Sequence, residues 1–247
     1  MKKRLDILLV EKGLAPSREK ARALIMAGEV SVGGLRVDKP GHVFESSQEV
    51  VLKGPGLPYV GRGGMKLEAA LKEFHVEVKG KTAMDVGAST GGFTDCLLQH
   101  GSRRVYAVDV GYGQLDITLR RDPRVVVLER KNIRYLKREE IPEPVHIAVI
   151  DVSFISLKKV LPRVKEFLAP GGEVIALVKP QFEAGRKEVK RGGIIKDPLV
   201  QKRCVDEIAN FAASLGLIIT GEMESPLPGR DGNREFFLYI NCPLPES

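Results

Sequence analysis

Cysteine is scarce in this 247-residue chain, which has only Cys96, Cys204 and Cys242 and no CxxC pair. An odd number of widely spaced cysteines argues against a disulfide framework or a thiolate zinc site and is typical of a reducing compartment. Long apolar runs are also missing, since no stretch approaches the ~18 residues of a membrane span. The first residues, MKKRLDILLVEKG, are broken by acidic side chains and do not match a signal peptide. We therefore expect a soluble, cytoplasmic protein without stable membrane insertion.

The charge balance is basic, with a formal net charge of +7. A modest basic excess favours an anionic partner, nucleic acid first, although a merely basic soluble protein would have the same composition. With 43% hydrophobic residues the chain can build an ordinary core. Its length suits one medium domain plus a small one.

The first part of the chain has the pattern of a small α+β domain. RLDILLVEKG predicts a short helix, and a second amphipathic helix follows with Ser17 as its N-cap and Gly28 as its end. Two short strands flank Gly33 as a hairpin, and VFESSQEVVLKG predicts one more strand.

These elements, with the helix motif Ser-Arg-x-x-Ala-x-x-Leu-Ile, resemble the S-four domain, a small RNA-binding module of a small-subunit ribosomal protein and of pseudouridine synthases. The resemblance covers about residues 4–52 and implies that basic side chains there face structured RNA. A solvated helix face is the alternative. The candidate RNA contacts in and near this module are Arg4, Arg18, Lys20, Arg22, Arg36 and Arg62.

The remainder alternates strands and helices. Near-continuous apolar strands separated by helices predict a parallel sheet buried on both faces. Two late strands, LGLIITG and REFFLYIN, have no helix between them and predict an antiparallel pair at the sheet edge. The other candidate strands are 82–87, 104–110, 125–129, 145–151 and 173–179, with helices at 91–100, 155–168 and 198–215.

The predicted fold class is therefore α/β: a mostly parallel, Rossmann-like sheet with an antiparallel edge hairpin, behind a small N-terminal α+β domain. The Pro- and Gly-rich segment GPGLPYVG reads as a linker. We predict domains at 1–53 and 64–247, joined by residues 54–63, with Gly61, Gly63 and Gly64 as the hinge.

A glycine-rich turn follows the first strand of this sheet, DVGASTGGF. Ligands of open parallel sheets bind at the carboxyl ends of the strands, and Asp109, which ends the second strand, is placed to take a ribose diol. A dinucleotide needs G-x-G-x-x-G, but Ala88 and Ser89 replace the second glycine, and Asp85 would sit poorly beside a pyrophosphate.

S-adenosylmethionine, which is cationic and lacks phosphate, is the favoured cofactor. A turn without a ligand and a nicotinamide cofactor are the alternatives. The predicted cofactor contacts are Asp85, Gly87, Ala88, Ser89, Thr90, Gly91, Gly92, Phe93, Asp109, Asn132 and Asp151.

Four charged residues are predicted at one rim of the sheet, the edge at which its parallel strands end. Asp151 and Lys179 end the fourth and fifth strands, and Glu235 begins the last one, which runs antiparallel. Lys66 lies in the first turn of a helix leading to the first strand, off the buried face that Leu67 helps to form. Each of them alone could be a solvated terminus, but two charges of each sign favour a site.

Their chemistry suits methylation of a hydroxyl. A ribose 2′-OH loses its proton as it attacks the methyl group, and an ordinary lysine, with a pKa of ~10.4, must be buried or near another cation to act as a base. Base C5-methylation needs a cysteine in the active-site loops. Amino methylation commonly uses an (Asp/Asn)-Pro-Pro-aromatic loop after the fourth strand, whereas this chain has DVSFIS at that place.

The set Lys66, Asp151, Lys179 and Glu235 resembles the Lys-Asp-Lys-Glu tetrad of FtsJ-type ribose 2′-O-methyltransferases. The strings GRGGMKLEAAL, DVGASTGGFTDCLLQHGS, DVSFISLKKVLP, LVKPQFEAGR and DGNREFFLY, behind an S-four domain, resemble the TlyA family of ribosomal RNA methyltransferases. The resemblance spans nearly the whole chain. It implies 2′-O-methylation of cytidine in ribosomal RNA of one or both subunits.

Two further features concern RNA. The segment 183–197 is basic and predicts either a solvated loop or an RNA-gripping loop, with Arg186, Lys187, Lys190 and Arg191 as candidate contacts. Phe154 could stack on an extruded base, although we expect it in the core.

Two other functions remain open at this point. Members of the resembled family often carry the name haemolysin, which would mean a membrane-active protein. A non-catalytic RNA-binding assembly factor is the other.

Overall fold

The computed structural model describes residues 2–33, 35–52, 58–185, 188–189, 193–229 and 232–244. The chain divides into two compact units, Met1–Met65 and Lys66–Ser247. Each unit has its own hydrophobic core. The domain boundaries proposed from the sequence, 1–53, 54–63 and 64–247, stay a prediction.

Within its described residues, the first unit contains two helices and five short strands before the helix that begins at Arg62. Strand β2 is the centre of an antiparallel sheet with the order β3-β2-β5, and β1 pairs with β4. The elements are β1 (Lys2–Arg4), α1 (Leu5–Glu11), α2 (Arg18–Met26), β2 (Val30–Val32), β3 (Leu35–Val37), β4 (Val43–Glu45) and β5 (Val50–Leu52).

The predicted limits of α2 are confirmed. Ser17 Oγ accepts a hydrogen bond from Lys20 N at 3.2 Å, the usual N-cap contact. Beyond the helix, Gly28 takes a φ of 73°, which glycine adopts without steric cost. Leu24 and Ile25 face the core of this unit.

The prediction of a single strand over 43–54 is wrong. The segment contains two strands, β4 and β5, that lie in different sheets. Gln48 makes the reversal between them: its backbone N donates to Glu45 O at 3.0 Å, and its side-chain oxygen accepts from Glu45 N at 3.2 Å.

The second unit is a seven-stranded sheet flanked by helices. Its strand order is β11-β12-β10-β9-β6-β7-β8, in which β10, β9, β6, β7 and β8 are parallel and β12 runs antiparallel to both of its neighbours, β10 and β11. The helix α3 (Arg62–Glu73) begins in the first unit and belongs to the second from Lys66 onward. The other elements of the second unit are β6 (Thr82–Val86), α4 (Gly92–Gln99), β7 (Arg104–Val108), α5 (Ile117–Arg120), β8 (Val125–Leu128), β9 (Val145–Ile150), α6 (Leu161–Lys165), β10 (Leu168–Val178), α7 (Pro180–Glu183), α8 (Pro198–Ser214), β11 (Ile218–Glu224) and β12 (Phe236–Asn241).

This sheet confirms the predicted fold class. The central strands are apolar and buried because helices cover both faces, as in other parallel sheets. No helix among the described residues has the length and apolar character that crossing a membrane requires.

The predicted helix over 155–168 is wrong in extent. A 3-10 turn at Leu157–Lys159 precedes the short α6, and the chain is already in β10 at Leu168. Pro162 stands in the first turn of α6, where its missing N–H is tolerated, but it would break a longer helix.

The glycines before Lys66 are helical. α3 begins at Arg62, so Gly63 and Gly64 lie in its first turn rather than in an open turn. A Cβ at Gly64 would overlap the ring of Tyr59. Close packing therefore accounts for this glycine, and its role as a hinge stays a prediction.

Candidate active site

Strand register brings Lys179 and Glu235 to one rim of the sheet. Val178, the last residue of β10, pairs with Phe236, the first residue of the antiparallel β12. Lys179 follows that pair on one strand and Glu235 precedes it on the other, so both stand just beyond the carboxyl edge.

Asp151 reaches the same rim from β9. Its backbone N donates to Val86 O at 2.9 Å, which continues the parallel pairing of β9 with β6 by one residue. The residue after Val86 is Gly87, where the glycine turn begins. The turn and the acid are therefore direct neighbours.

Lys66 is buried against Glu235. Their Nζ and Oε2 atoms lie 2.6 Å apart, and their side chains are only 10% and 3% exposed. The expectation that Lys66 lies in the first turn of its helix and off the buried face is wrong: it is the fifth residue of α3 and is buried like its neighbour Leu67. The carboxylate makes this burial possible because it neutralises the charge.

A short loop closes over Glu235. Its backbone oxygen accepts from Ser225 N at 2.8 Å. A Cβ at Gly229 would overlap Glu235 Oε1, so only glycine allows the loop to pass this close.

Lys179 forms the second ion pair of the rim. Its Nζ lies 2.5 Å from Asp151 Oδ1 and donates a hydrogen bond to Ser153 Oγ at 3.0 Å. Both lysines are largely buried, with side chains 10% and 12% exposed, and each contacts a carboxylate. The rim holds two lysine–carboxylate pairs.

The glycine turn is packed tightly against the strand carrying Asp151. Gly87 has a φ of 90°, and a Cβ there would overlap the Asp151 carbonyl oxygen. Gly91, with a φ of 95°, leaves room for Leu119 and precedes α4. The predicted reason for these glycines, a tight turn, agrees with this geometry.

Asp109 organises the loops around the turn. Its Oδ2 accepts from Ser89 N at 2.7 Å and its Oδ1 from Gly111 N at 2.6 Å. Each carboxylate oxygen has a second lone pair, so Asp109 keeps acceptor capacity for a ligand.

Asp85 is fully buried beneath the turn. Its Oδ2 accepts from Thr94 Oγ1 at 2.7 Å, whereas its Oδ1 has no hydrogen-bond partner. Burial, opposed by the Thr94 hydrogen bond and reinforced by the charges of Asp151 and Asp109, raises the pKa of Asp85 to about 7.

Comparisons with known proteins place the chain in a family. A family model described as FtsJ-like methyltransferase matches residues 59–242, and one described as S4 domain matches residues 3–50. The 16S/23S rRNA (cytidine-2'-O)-methyltransferase TlyA of Mycobacterium tuberculosis is 46% identical over 96% of this chain and 89% of its own length. The chain belongs to the TlyA family of FtsJ-like methyltransferases.

Other TlyA-like proteins support this membership. YqxC of Bacillus subtilis is 51% identical over 98% of this chain and 86% of its own length. A solved structure from Streptococcus thermophilus that carries a hemolysin name has a TM-score of 0.79 at 43% identity, covering 98% of this chain and 89% of that one. The family and the S-four domain expected from the sequence are both confirmed.

Other predicted cofactor residues of this TlyA-family chain differ in accessibility. Ser89 and Thr90 are exposed at the turn, whereas Phe93 is buried, with its ring 6.3 Å from that of Phe237. Ala88 and Gly92 are also buried. Asn132 caps a 3-10 turn, accepting from Arg134 N at 3.1 Å.

The expectation that Phe154 lies in the core is wrong. Its side chain is 91% exposed, and its φ of 63° is unusual for a bulky residue. The ring centroid lies 5.0 Å from that of Phe182, which belongs to α7 just after Lys179 and is half-buried. This rim of the sheet thus carries an aromatic pair of which Phe154 is the exposed member.

Glu183 is a structural residue that the sequence analysis missed. It accepts from Ser156 Oγ at 2.5 Å and from Leu157 N at 2.8 Å, and burial raises its pKa. It therefore ties the loop after Asp151 to α7, the short helix after Lys179. Its position four residues beyond Lys179 was the only signal in the sequence.

The structure describes the side chains of some, but not all, of the residues predicted to contact RNA. Lys20 Nζ donates to Tyr59 O at 2.7 Å, so this ammonium holds the chain rather than facing solvent alone. Arg4 and Arg18 both contact Asp6. The roles of Arg22 and Arg62 in RNA binding stay predictions. The side chain of Arg36 and all of Arg186, Lys187, Lys190 and Arg191 lie outside the described residues.

The Lys66–Glu235 pair allows a stability prediction. Lys66→Met leaves the buried Glu235 carboxylate without its partner and should lower the free energy of unfolding by about 3–5 kcal/mol. Adding Glu235→Gln removes the unpaired charge and should recover much of the loss. Urea unfolding measures both. The control is Lys202→Met, in the exposed Lys202–Asp206 pair, which should lower the free energy of unfolding by less than about 1 kcal/mol. A loss for Lys66→Met no larger than that for Lys202→Met would contradict the prediction.

Asp85 allows a prediction of pH dependence. The pKa of Asp85 is about 7 in the folded protein, against an ordinary value of 3.8. Between pH 3.8 and 7 the folded state therefore holds a proton that the unfolded chain has lost. Stability therefore falls as pH rises from about 4 to 7, by up to about 1.4 kcal/mol per pH unit. Asp85→Asn cannot ionise and should lack this decline in unfolding experiments between pH 5 and 8. Asp122→Asn should keep it, and identical slopes in wild type and Asp85→Asn would disprove the assignment.

Proposed function

We propose that this chain transfers a methyl group from S-adenosylmethionine to a ribose 2′-hydroxyl of ribosomal RNA, with cytidine as the target nucleoside. The observation that carries the proposal is the meeting of the Lys66–Glu235 and Lys179–Asp151 pairs at one rim beside the glycine turn. The cytidine-2'-O name of the Mycobacterium tuberculosis relative supports the choice of substrate. A ribosomal substrate also implies work in the cytoplasm.

The residues around the turn fit S-adenosylmethionine. Asp85, Asp109 and Asp151 surround it, and three carboxylates suit a cationic ligand and disfavour a pyrophosphate. Gly87 and Gly91 keep the turn free of Cβ atoms, so that a ligand can approach the backbone. Asp109, with its remaining acceptor capacity, would hold a ribose diol. Asp85, whose pKa of about 7 leaves it partly ionised at neutral pH, adds some negative potential below.

The two ion pairs can manage the proton of the attacking hydroxyl. Lys179 Nζ, held 2.5 Å from Asp151 Oδ1, can accept the hydroxyl proton once its ammonium group has released a proton to solvent. Ser153 Oγ keeps the amine in place. Lys66 and Glu235, rigid through burial, orient the ribose.

The bond changes are balanced. Bound S-adenosylmethionine supplies an electrophilic methyl group. The ribose oxygen would form the new O–C bond as the methyl group leaves the sulfonium, and Lys179 Nζ would take the hydroxyl proton. The chain contributes positioning and charge, since no covalent link to the protein is required.

RNA recognition is shared between the two units. The S-four unit would bind the ribosomal RNA through its basic side chains, and the basic segment 183–197 would add contacts to the phosphates. A nucleotide inside an RNA helix must be extruded before its ribose can react, and the exposed ring of Phe154, supported by Phe182, offers a surface on which its base can stack.

The first test is methyl transfer itself. Purified protein should move labelled methyl from S-adenosylmethionine to ribosomal subunits or their RNA, and mapping should find it on ribose. Lys179→Ala should lower kcat by roughly 100-fold or more, the usual contribution of a proton acceptor. Lys179→Arg, which keeps the positive charge but does not deprotonate, should be equally inactive.

Lys158→Ala is the matched control, because Lys158 pairs with Glu207 and is 40% exposed. It should retain wild-type kcat. Full activity of Lys179→Ala would overturn the assignment of the proton acceptor, and absence of transfer by the wild type would overturn the function.

Cofactor binding is a separate prediction. Calorimetry should detect S-adenosylmethionine binding by the wild type, and Asp109→Ala should weaken it by roughly 10- to 100-fold, as expected for loss of charge-assisted hydrogen bonds. Asp122→Ala removes an equivalent charge that pairs with Arg124 before β8, and should leave the affinity unchanged. Equal affinities of the two variants would refute the role of Asp109.

A further inference from the structure

Asp6 is a fully buried carboxylate in the first unit and takes no part in the chemistry proposed above. It lies in α1, and its backbone N donates to Pro40 O at 3.2 Å. A buried acid needs strong compensation, because burial disfavours its charged form.

Two arginines provide that compensation. Arg4 makes a two-point contact, from Nε to Asp6 Oδ1 and from Nη2 to Asp6 Oδ2, both at 3.0 Å. Arg18 Nη2 reaches Asp6 Oδ2 at 3.0 Å from the start of α2. These contacts, the Arg4 hydrogen bond foremost, lower the pKa of Asp6 to about 2.

The arrangement is more than a buried acid needs. Arg4 alone satisfies both oxygens, yet Arg18 is held on the same carboxylate. The two arginine side chains stay 48% and 54% exposed. Each guanidinium has five N–H donors in a fixed plane, so most donors remain for an anion outside.

We propose that Asp6 is a positioning residue that fixes Arg4 and Arg18 as a paired fork for the phosphodiester groups of structured RNA. The inference rests on the proposed function in that RNA is the partner. Its physical basis is preorganisation: two long, flexible side chains are ordered before binding, so RNA does not bear that entropic cost. The carboxylate lowers the positive charge of the surface and so weakens its attraction for RNA. Only the better ordering of the two arginine side chains offsets that loss.

Charge and geometry make opposite predictions for Asp6→Asn. Removing the carboxylate adds one positive charge, so charge alone would tighten RNA binding. Loss of the fork should instead weaken it, by roughly tenfold. Fluorescence anisotropy of a labelled ribosomal RNA transcript with full-length protein, over a range of salt concentrations, measures the sign.

Charge-neutral variants and a matched control complete the test. Arg4→Lys and Arg18→Lys keep the charge but lose the planar fork and should weaken binding similarly. Asp38→Asn removes an exposed acid of the same unit and should bind RNA as tightly as wild type or slightly more tightly. Heparin, a polyanion without RNA structure, should bind Asp6→Asn no more weakly than wild type.

The outcome does not depend on methyl transfer, so failure of the proposed function and failure of this inference are distinguishable. In an active enzyme, Asp6→Asn should raise KM for the RNA with kcat unchanged, which a general loss of folding would not produce. If thermal unfolding shows that Asp6→Asn is not folded, Arg18→Lys decides the matter. RNA binding by Asp6→Asn or Arg18→Lys as tight as wild type would overturn the proposal.

Discussion

The antiparallel pairing of β12 with β10 is the constraint on which the candidate site depends. In a purely parallel sheet, a strand contributes to the ligand edge only with the residues after its end. Because β12 runs the other way, its first residues arrive at that edge, and the Val178–Phe236 register places Glu235 beside Lys179. The edge hairpin therefore supplies the carboxylate that allows Lys66 to be buried.

The charges of the catalytic unit are arranged by sign and depth. Carboxylates surround the glycine turn, and Asp85 lies deepest, with its pKa raised by burial. The two lysines stand at the rim, and each is neutralised by its own acid. A cation and an RNA anion would thus meet different parts of one edge, which keeps the two kinds of ligand from competing for the same side chains.

Much of this organisation follows from the sequence, because strand pattern and strand direction determine which residues reach the rim. Side-chain partners do not follow, since they depend on rotamers and on small shifts in helix start: Lys66 proved to be one turn further into α3 than predicted. Phe154 was misjudged because apolar character predicts burial, whereas its positive φ turns the ring outward. Short elements were the least predictable: one glutamine side chain separates β4 from β5, and one proline limits α6.

The close approach of Gly87 to the carbonyl of Asp151 has a mechanical consequence. The two loops have no clearance between them, and the backbone hydrogen bond from Asp151 to Val86 joins them in addition. A displacement of the glycine turn of even a fraction of an ångström must be passed to Asp151, and through its side chain to the amine of Lys179. The position of the glycine turn and the position of the Lys179 amine are thereby mechanically coupled.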